Sequence, residues 1–325
     1  METEFTRYSS LENTYRKKII DSIIEQGKSG GEWHVSEKVH GANFSFLYNG
    51  HGEVEIAKRT AKIKEGDSFY DCWSVYDKYD EKIQALFNDI CLTGDNLQVF
   101  GELFGPGIQK EVWYGDQKDF FAFDIKVNGT YMNTNDKNVL FEKHGFPYAK
   151  SLFVGTFQEC LEFNNEFDSI VPTYYGYDIK QDNVCEGVVI APNEPKYLGT
   201  GRVVLKNKND KFSEKAGKKK QKGPKTPTPE YKFSELGLTL LDEVSAYVCE
   251  ARLRNVISKI GTITDKQFGM LMGLTVKDVL EDFLKDFEQF QTLDKPERRA
   301  FQKKVNGMVK DLIRPNFLNI IDNTF

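Results

Sequence analysis

Lys38-Val39-His40-Gly41-Ala42-Asn43 sets a lysine amine beside a glycine turn and opens a short apolar strand, Phe44-Ser45-Phe46-Leu47-Tyr48. A lysine on such a junction can serve as a nucleophile, provided desolvation or neighbouring cations favour its neutral form. The glycine lets backbone approach a ligand where a side chain would obstruct. A Lys-x-His-Gly-x-Asn pattern arises by chance in a chain of this length on the order of once per thousand. Taken alone, Lys38 also reads as a solvated lysine at a strand end, so the surrounding sequence has to decide.

Outward from this junction the chain is rich in short strands. Trp33–Glu37, Asn43–Leu47 and Val54–Lys58 come first, with Asn49-Gly50-His51-Gly52 as the turn between the last two. Leu97–Leu103 and Phe120–Val127 read as buried strands, and Asn128-Gly129 signals a hairpin into Thr130-Tyr131-Met132. Val184–Ala191 and Arg202–Asn207 close the region. Three helices are predicted among the strands. The first is Leu11–Gln26, capped by Ser9 or Ser10, striped by Ile19, Ile20, Ile23 and Ile24, and ended by Gly27. Ser74–Phe87 and Asp136–His144 are the others.

Beyond Lys208 the character changes. Ser213–Pro229 is rich in Lys, Gly and Pro without apolar periodicity, which predicts a mobile linker or exposed loop. Only helical patterns follow. Leu238–Ile260 is closed by Gly261, and Thr264–Met272 is N-capped by Thr264. Thr275 caps a third helix, with Asp278 at the capping-box position and Val276, Val279, Leu280, Phe283 and Phe287 inside. A fourth starts at Asp294 and Pro296, carries Phe301, Val305, Met308, Val309, Leu312 and Ile313, and stops near Pro315. The expected fold is α+β. A domain of antiparallel sheets with flanking helices spans 1–233, including a basic loop at about 213–229, and a small all-α domain spans 234–325.

The 325 residues suit one large domain plus a smaller one, with the apolar and charged fractions of a soluble globule. No apolar run approaches a membrane span, and the early acidic and polar residues lack the apolar core of a secretion signal. Cys72, Cys91, Cys160, Cys185 and Cys249 are scattered and include no Cys-x-x-Cys, which disfavours zinc and predicts reduced thiols. The net charge of −5 is unevenly spread: from Lys206 to Lys225 nine lysines face only Asp210 and Glu214. That stretch, with its Lys218-Lys219-Lys220 run, reads equally as a phosphate-binding stripe or as a solvated linker. Glu102 and Glu186, each flanked by apolar strand residues and glycine, need partners if buried. Lys206 and Lys208 alternate along a strand and share one face, which is either a ligand face or the polar side of a half-buried strand.

The ordered segments decide between these readings. After Lys38-Val39-His40-Gly41 come Ala57-Lys58-Arg59-Thr60, Phe100-Gly101-Glu102-Leu103-Phe104-Gly105 and Phe121-Ala122-Phe123-Asp124. Glu186-Gly187-Val188-Val189-Ile190 and Val204-Leu205-Lys206-Asn207-Lys208 complete the series. Together they resemble the motif set of the covalent nucleotidyltransferases, most closely the RNA ligase 2 group of phage-type, nick-sealing RNA ligases. His40 points that way, since DNA ligases and capping enzymes usually carry aspartate there. Tyr8–Asn13, Gly105–Lys110, Asn255–Gly261 and Met272–Val276 resemble the same group.

The resemblance implies an ATP-dependent RNA ligase. Lys38 would attack the α-phosphate of ATP and carry AMP, which then passes to an RNA 5′-phosphate and leaves when a 3′-hydroxyl attacks. Lys206 and Lys208 would favour a neutral Lys38 and hold the α-phosphate. Glu186 would bind a divalent metal, Mg2+ or its substitute Mn2+. Glu102 would accept from ribose hydroxyls, and Phe123 and Val189 would sandwich adenine. Backbone groups of Glu37 and Val39 would read the adenine edge. Arg59 offers a fork for phosphate, and Asn43 would orient a phosphate oxygen or metal-bound water. His40 either positions the loop or leaving group or is a structural turn histidine.

The implied partner is nicked duplex RNA with 3′-hydroxyl and 5′-phosphate ends. A monomer in the cytoplasm, with no membrane partner, is expected, the host's cytoplasm if the chain is viral. Arg252, Arg254 and Lys259 are either RNA contacts of the tail or an ordinary solvated face. The alternatives are an inactive RNA-binding relative, which would be expected to lose Lys38 or a motif carboxylate, and a capping-type guanylyltransferase, which normally carries an oligonucleotide-binding β-barrel instead of helices. Kinetoplastid editing ligases are closer, but are expected to lack this helical tail and to carry a presequence.

Overall fold

The computed structural model describes residues 3–199, 201–213, 231 and 233–325. The Lys218-Lys219-Lys220 run and nearly all of the expected basic loop lie outside the described residues. The chain forms two compact units, Met1–Phe212 and Ser213–Phe325.

The first unit opens with β1 (Glu12–Asn13), α1 (Lys17–Glu25), β2 (Trp33–Glu37), β3 (Ala42–Tyr48), β4 (Glu55–Lys58) and β5 (Ala61–Ile63). Next come α2 (Trp73–Ile90), β6 (Leu97–Phe104), β7 (Asp119–Val127), β8 (Thr130–Tyr131) and α3 (Thr134–Lys143). It ends with β9 (Ser151–Gly155), α4 (Phe157–Leu161), β10 (Gly187–Pro192), β11 (Tyr197–Leu198), β12 (Gly201–Arg202) and β13 (Leu205–Lys208). One sheet has the order β1-β13-β10-β2-β9, another the order β5-β4-β3-β6-β7-β8, and β11 and β12 form a two-stranded ribbon.

Alternation along each strand separates a core face from a site face. Phe44 and Phe46 of β3 pack with Tyr79 of α2 and Phe120 of β7, their rings edge-on or tilted. Each buried aromatic of this kind contributes about 2–3 kcal/mol. Asn43 and Glu102, paired across β3 and β6, take the opposite face. In the other sheet Trp33, Val35, Val188, Ile190 and Leu205 form the core with Ile23 and Phe157. That strand register leaves Val189, Lys206 and Lys208 on the other face.

Several boundaries depart from the sequence reading. The first helix begins at Lys17, not Leu11, because Glu12–Asn13 pairs in parallel with Leu205–Lys206; Arg16, rather than Ser9 or Ser10, is its N-cap. Val184–Ala191 shortens to β10 because Gly187 takes a φ of +138°, and a Cβ there would meet Asn207 O at 2.2 Å. Arg202–Asn207 breaks into β12 and β13. β9 and α4 were not anticipated; Thr156 caps α4 with a full capping box to Glu159.

The second unit holds α5 (Glu235–Ser245), α6 (Glu250–Ile260), α7 (Phe268–Asp286) and α8 (Lys295–Ile321) around its own apolar core. The expected Leu238–Ile260 helix is therefore two. Cys249 is extended, and the intervening Tyr247 is fully buried with its hydroxyl on Asp286. Thr264 does cap its segment, in a capping box with Gln267, but the next two expected helices are the single α7. Thr275 sits within it and donates to Leu271 O at 2.8 Å, so it caps nothing. α8 runs through Pro315 to Ile321, because Ile313 and Ile320 are both buried and hold the two halves to one core. Arg252 is not a surface cation. It is 1% exposed and donates to Asp278 and Asp282 at 2.8 and 2.9 Å, while Lys259 donates to Asp278 at 2.6 Å. Arg254 pairs with Glu250 at 3.4 Å and lies over the Phe325 ring. Among the described residues no helix is long and apolar enough to cross a membrane.

Candidate active site

Lys38 follows the last residue of β2, and its N–H donates to Gly187 O at 2.9 Å, tying it to β10. Its amine donates to Glu186 at 2.6 Å, and Lys208 from β13 reaches the other Glu186 oxygen at 2.8 Å. Strict alternation would put Glu186 on the core face with Val188; the turn of the backbone at Gly187 lets its carboxylate face the lysines instead. Burial alone would raise the Glu186 pKa, but Lys208, Lys38 and His40 hold it well below the usual carboxylate range.

Gly41 is needed for a different reason: a Cβ there would meet Leu103 O at 2.3 Å. This close approach lets β2 hand over directly to β3, which carries Asn43 opposite Glu102. Burial pushes the Glu102 carboxyl up to about 7, with Glu186 adding to the rise and Lys38, His40 and Arg59 opposing it. Arg59 also donates to Ser10 at 3.2 Å. The structure thus gathers Lys38, His40, Arg59, Glu102, Glu186 and Lys208. Lys206 lies on the same strand face as Lys208, next to half-buried Val189.

Phe123 is the extra residue at the bulge of β7, with its ring 4.9 Å from Tyr8. Its wall rests on a buried network that sequence reading missed. Asp124 accepts from Tyr8 at 2.5 Å, Arg202 at 2.6 Å and Lys137 at 2.7 Å, and Lys137 also donates to Phe123 O at 2.6 Å. Burial alone would raise the Asp124 pKa, but Arg202 and Lys137 hold it well below normal. Asp124 belonged to a recognised segment, but its partners are scattered from residue 8 to residue 202.

His40 is held at both ring nitrogens, 3.2 Å from Glu111 and 3.5 Å from Glu186, and its main-chain N–H donates to the Tyr114 hydroxyl at 2.8 Å. Burial would lower its pKa, but Glu186 and Glu111 raise it above the ordinary value. Glu111 and Tyr114 were also missed; they follow the Gly105–Lys110 segment with no pattern of their own. Val39 points away, into an apolar cluster with Phe104, Tyr114, Phe121 and Phe212.

Glu37 also turns its side chain inward, accepting from Ser169 Oγ at 2.5 Å and Ile170 N–H at 2.9 Å. Burial pushes its carboxyl to about 7 despite those hydrogen bonds. A carboxyl raised on folding gives stability that is fully present below its unfolded pKa and is lost as pH rises through the folded one. Glu37 is expected to withdraw about 3 kcal/mol between pH 4.5 and somewhat above 7. Glu37→Gln should remove that part of the decline in urea unfolding measured from pH 5 to 8.5. Parallel profiles for variant and wild type would show that Glu37 titrates normally.

An RNA ligase family profile matches residues 31–208, and a T4 RNA ligase 2 C-terminal profile matches residues 232–311. The chain belongs to the RNA ligase family, in its RNA ligase 2 branch. It is 28% identical to RNA-editing ligase 2, mitochondrial, of Trypanosoma brucei brucei, over 87% of this chain and 84% of that protein. RNA-editing ligase 1, mitochondrial, of the same organism is 25% identical over 88% of this chain and 77% of its own length. This coverage exceeds the share held by Met1–Phe212, so the similarity extends into the helical tail, against the expectation that editing ligases share nothing of it. A solved structure of Naegleria gruberi RNA ligase with PPi aligns at 16% identity and a TM-score of 0.48. It covers 65% of this chain and 58% of that one, so the chain spans less than two thirds of its length.

Proposed function

We propose that this chain is an ATP-dependent RNA ligase that seals 3′-hydroxyl and 5′-phosphate ends, at nicks in duplex RNA, through a Lys38–AMP intermediate. The observation that carries the proposal is the Lys38 amine 2.6 Å from buried Glu186, with Lys208 on the other carboxylate oxygen. In the first step the neutral Lys38 amine forms a P–N bond to the α-phosphorus of ATP, the α–β P–O bond breaks and pyrophosphate leaves. An RNA 5′-phosphate oxygen then attacks the same phosphorus and frees Lys38. Last, the 3′-hydroxyl attacks the RNA 5′-phosphate, forming the new diester and releasing AMP.

The residues divide the remaining work. Lys206, Lys208 and Arg59 offer fixed positive charge to phosphate oxygens as charge develops. Glu102 as a carboxylate accepts from ribose hydroxyls, Phe123 and Val189 bracket the base, and Asn43 orients a phosphate oxygen. The main-chain groups of Glu37 and Val39 are left to read the adenine edge, since both side chains point inward. His40, clamped between two carboxylates, shapes the loop after Lys38.

Among the described residues no group of three or more His, Cys, Asp or Glu side chains is arranged to hold a metal ion by itself. Glu186 supplies hard oxygen donors that suit Mg2+ or Mn2+, an ion that takes most of its other ligands from phosphates and water. Glu186 would hold it, and its charge would offset that of the nucleotide phosphates.

Nick sealing is tested by comparing a nicked RNA duplex with circularisation of a single strand; faster circularisation would refute the duplex preference. The tail is proposed to complete the RNA surface, because a nick needs contacts on both sides of the break. A chain ending near Lys232 is expected to keep ATP labelling and to lose nick sealing about tenfold or more, the effect of losing a few phosphate contacts. Full sealing by the shortened chain would assign the tail to another purpose. Loss of labelling as well would show that the tail supports the catalytic unit itself.

A further inference from the structure

Helix α8 carries charge opposite to that of the chain. Between Lys295 and Ile321 it has seven basic and two acidic residues, a net of +5, on a chain whose net charge is −5. Phe301, Val305, Val309 and Ile313 bury one face of it. About 130° round the helix from that face, Arg299, Lys303, Lys310 and Arg314 are all exposed. Their spacings of four, seven and four residues place them in one row about 22 Å long. The gap in the row falls at Asn306-Gly307, whose short side chains leave it open. Among the described residues none of the four cations has an ion pair or side-chain hydrogen bond. Asp311, the exposed acid of the helix, lies about 100° round from Lys310 and about 60° from Arg314, with which it makes no ion pair.

We propose that this row is a binding surface for the phosphate backbone of duplex RNA. The proposal rests on the nick-sealing reading above and assigns it a specific face of the second unit. A straight, rigid row of cations suits the regular phosphate track of a duplex. Single-strand binders add aromatic platforms for unstacked bases, and the row carries none. A row so placed contacts backbone only, and so adds affinity without sequence preference.

The test uses the full chain with Arg299→Gln, Lys303→Gln, Lys310→Gln and Arg314→Gln combined. Glutamine keeps helix propensity, so α8 is expected to form. A control replaces Lys266, Lys277, Lys285 and Lys304 with Gln, removing the same charge from outside the row. Binding to a nicked RNA duplex is followed by anisotropy across a salt series, with ATP labelling and nick sealing measured in parallel. Four lost phosphate contacts should flatten the slope of log K against log salt by about 3.6 and weaken binding about tenfold or more at low salt. ATP labelling should be unchanged, and the control should stay near wild type. A wild-type slope in the row variant overturns the proposal, as does an equal loss in the control, which would trace the effect to net charge. If the wild type itself fails to seal the nick, the nick-sealing reading falls first and the row falls with it.

Discussion

Lys38→Arg is expected to take no label from ATP while still joining RNA that carries a 5′-adenylate. Arginine stays protonated and has no lone pair to offer phosphorus. It does keep a positive charge beside Glu186, whose buried carboxylate would otherwise lose one of its two lysine partners. The variant should therefore fold, and adenylation should fall by about six orders of magnitude, as when a nucleophile is removed. Sealing of pre-adenylated RNA bypasses the first step and should survive, at least weakly. Normal labelling would sink the assignment of Lys38. Loss of both reactions would mean that the substitution damages the pocket as a whole.

Glu186→Ala is expected to abolish most adenylation by another route. The carboxylate is 1% exposed and lies between Lys38 and Lys208, with His40 at 3.5 Å. Removing it leaves cations facing one another in a buried space, and unpairing such a site costs about 3–5 kcal/mol. It also removes the oxygen donors proposed for Mg2+. Adenylation should drop by about a hundredfold or more, a typical loss when an electrostatic element of a site is removed. Raising Mg2+ should restore little of it. Thermal unfolding must be followed in parallel, because a fall in stability is part of the expected result. A variant with near-native rate and metal dependence would make Glu186 structural and send the search for a metal ligand to Glu102.

The strands that carry the pocket were legible because their signals are local. Apolar alternation, the Asn49–Gly52 turn and the Asn128-Gly129 hairpin placed most strands within a residue or two. The site residues were legible as an ordered series, and the structure brings Lys38, His40, Arg59, Glu102, Glu186 and Lys208 together. What stayed hidden depends on distant partners. The pairing of Glu12–Asn13 with Leu205–Lys206 spans almost two hundred residues, so no local pattern marks it. The inward turn of Glu37 depends on Ser169 and Ile170, and the Asp124 network on Tyr8, Lys137 and Arg202. Arg252 looked like a surface cation because its acceptors, Asp278 and Asp282, belong to the next helix. Helix ends were misread where tertiary packing outweighs a local signal, at Thr275, read as a cap, and at Pro315, read as a stop.

The central claim is that Lys38 itself carries the nucleotide. The direct measurement is to incubate the full-length protein with ATP or GTP and a divalent metal, digest it, and locate any nucleotide by mass spectrometry. The account predicts AMP from ATP, in acid-labile linkage, on the peptide containing Lys38 and nowhere else. Nucleotide on a different lysine, GMP in preference to AMP, or no covalent nucleotide at all would contradict it.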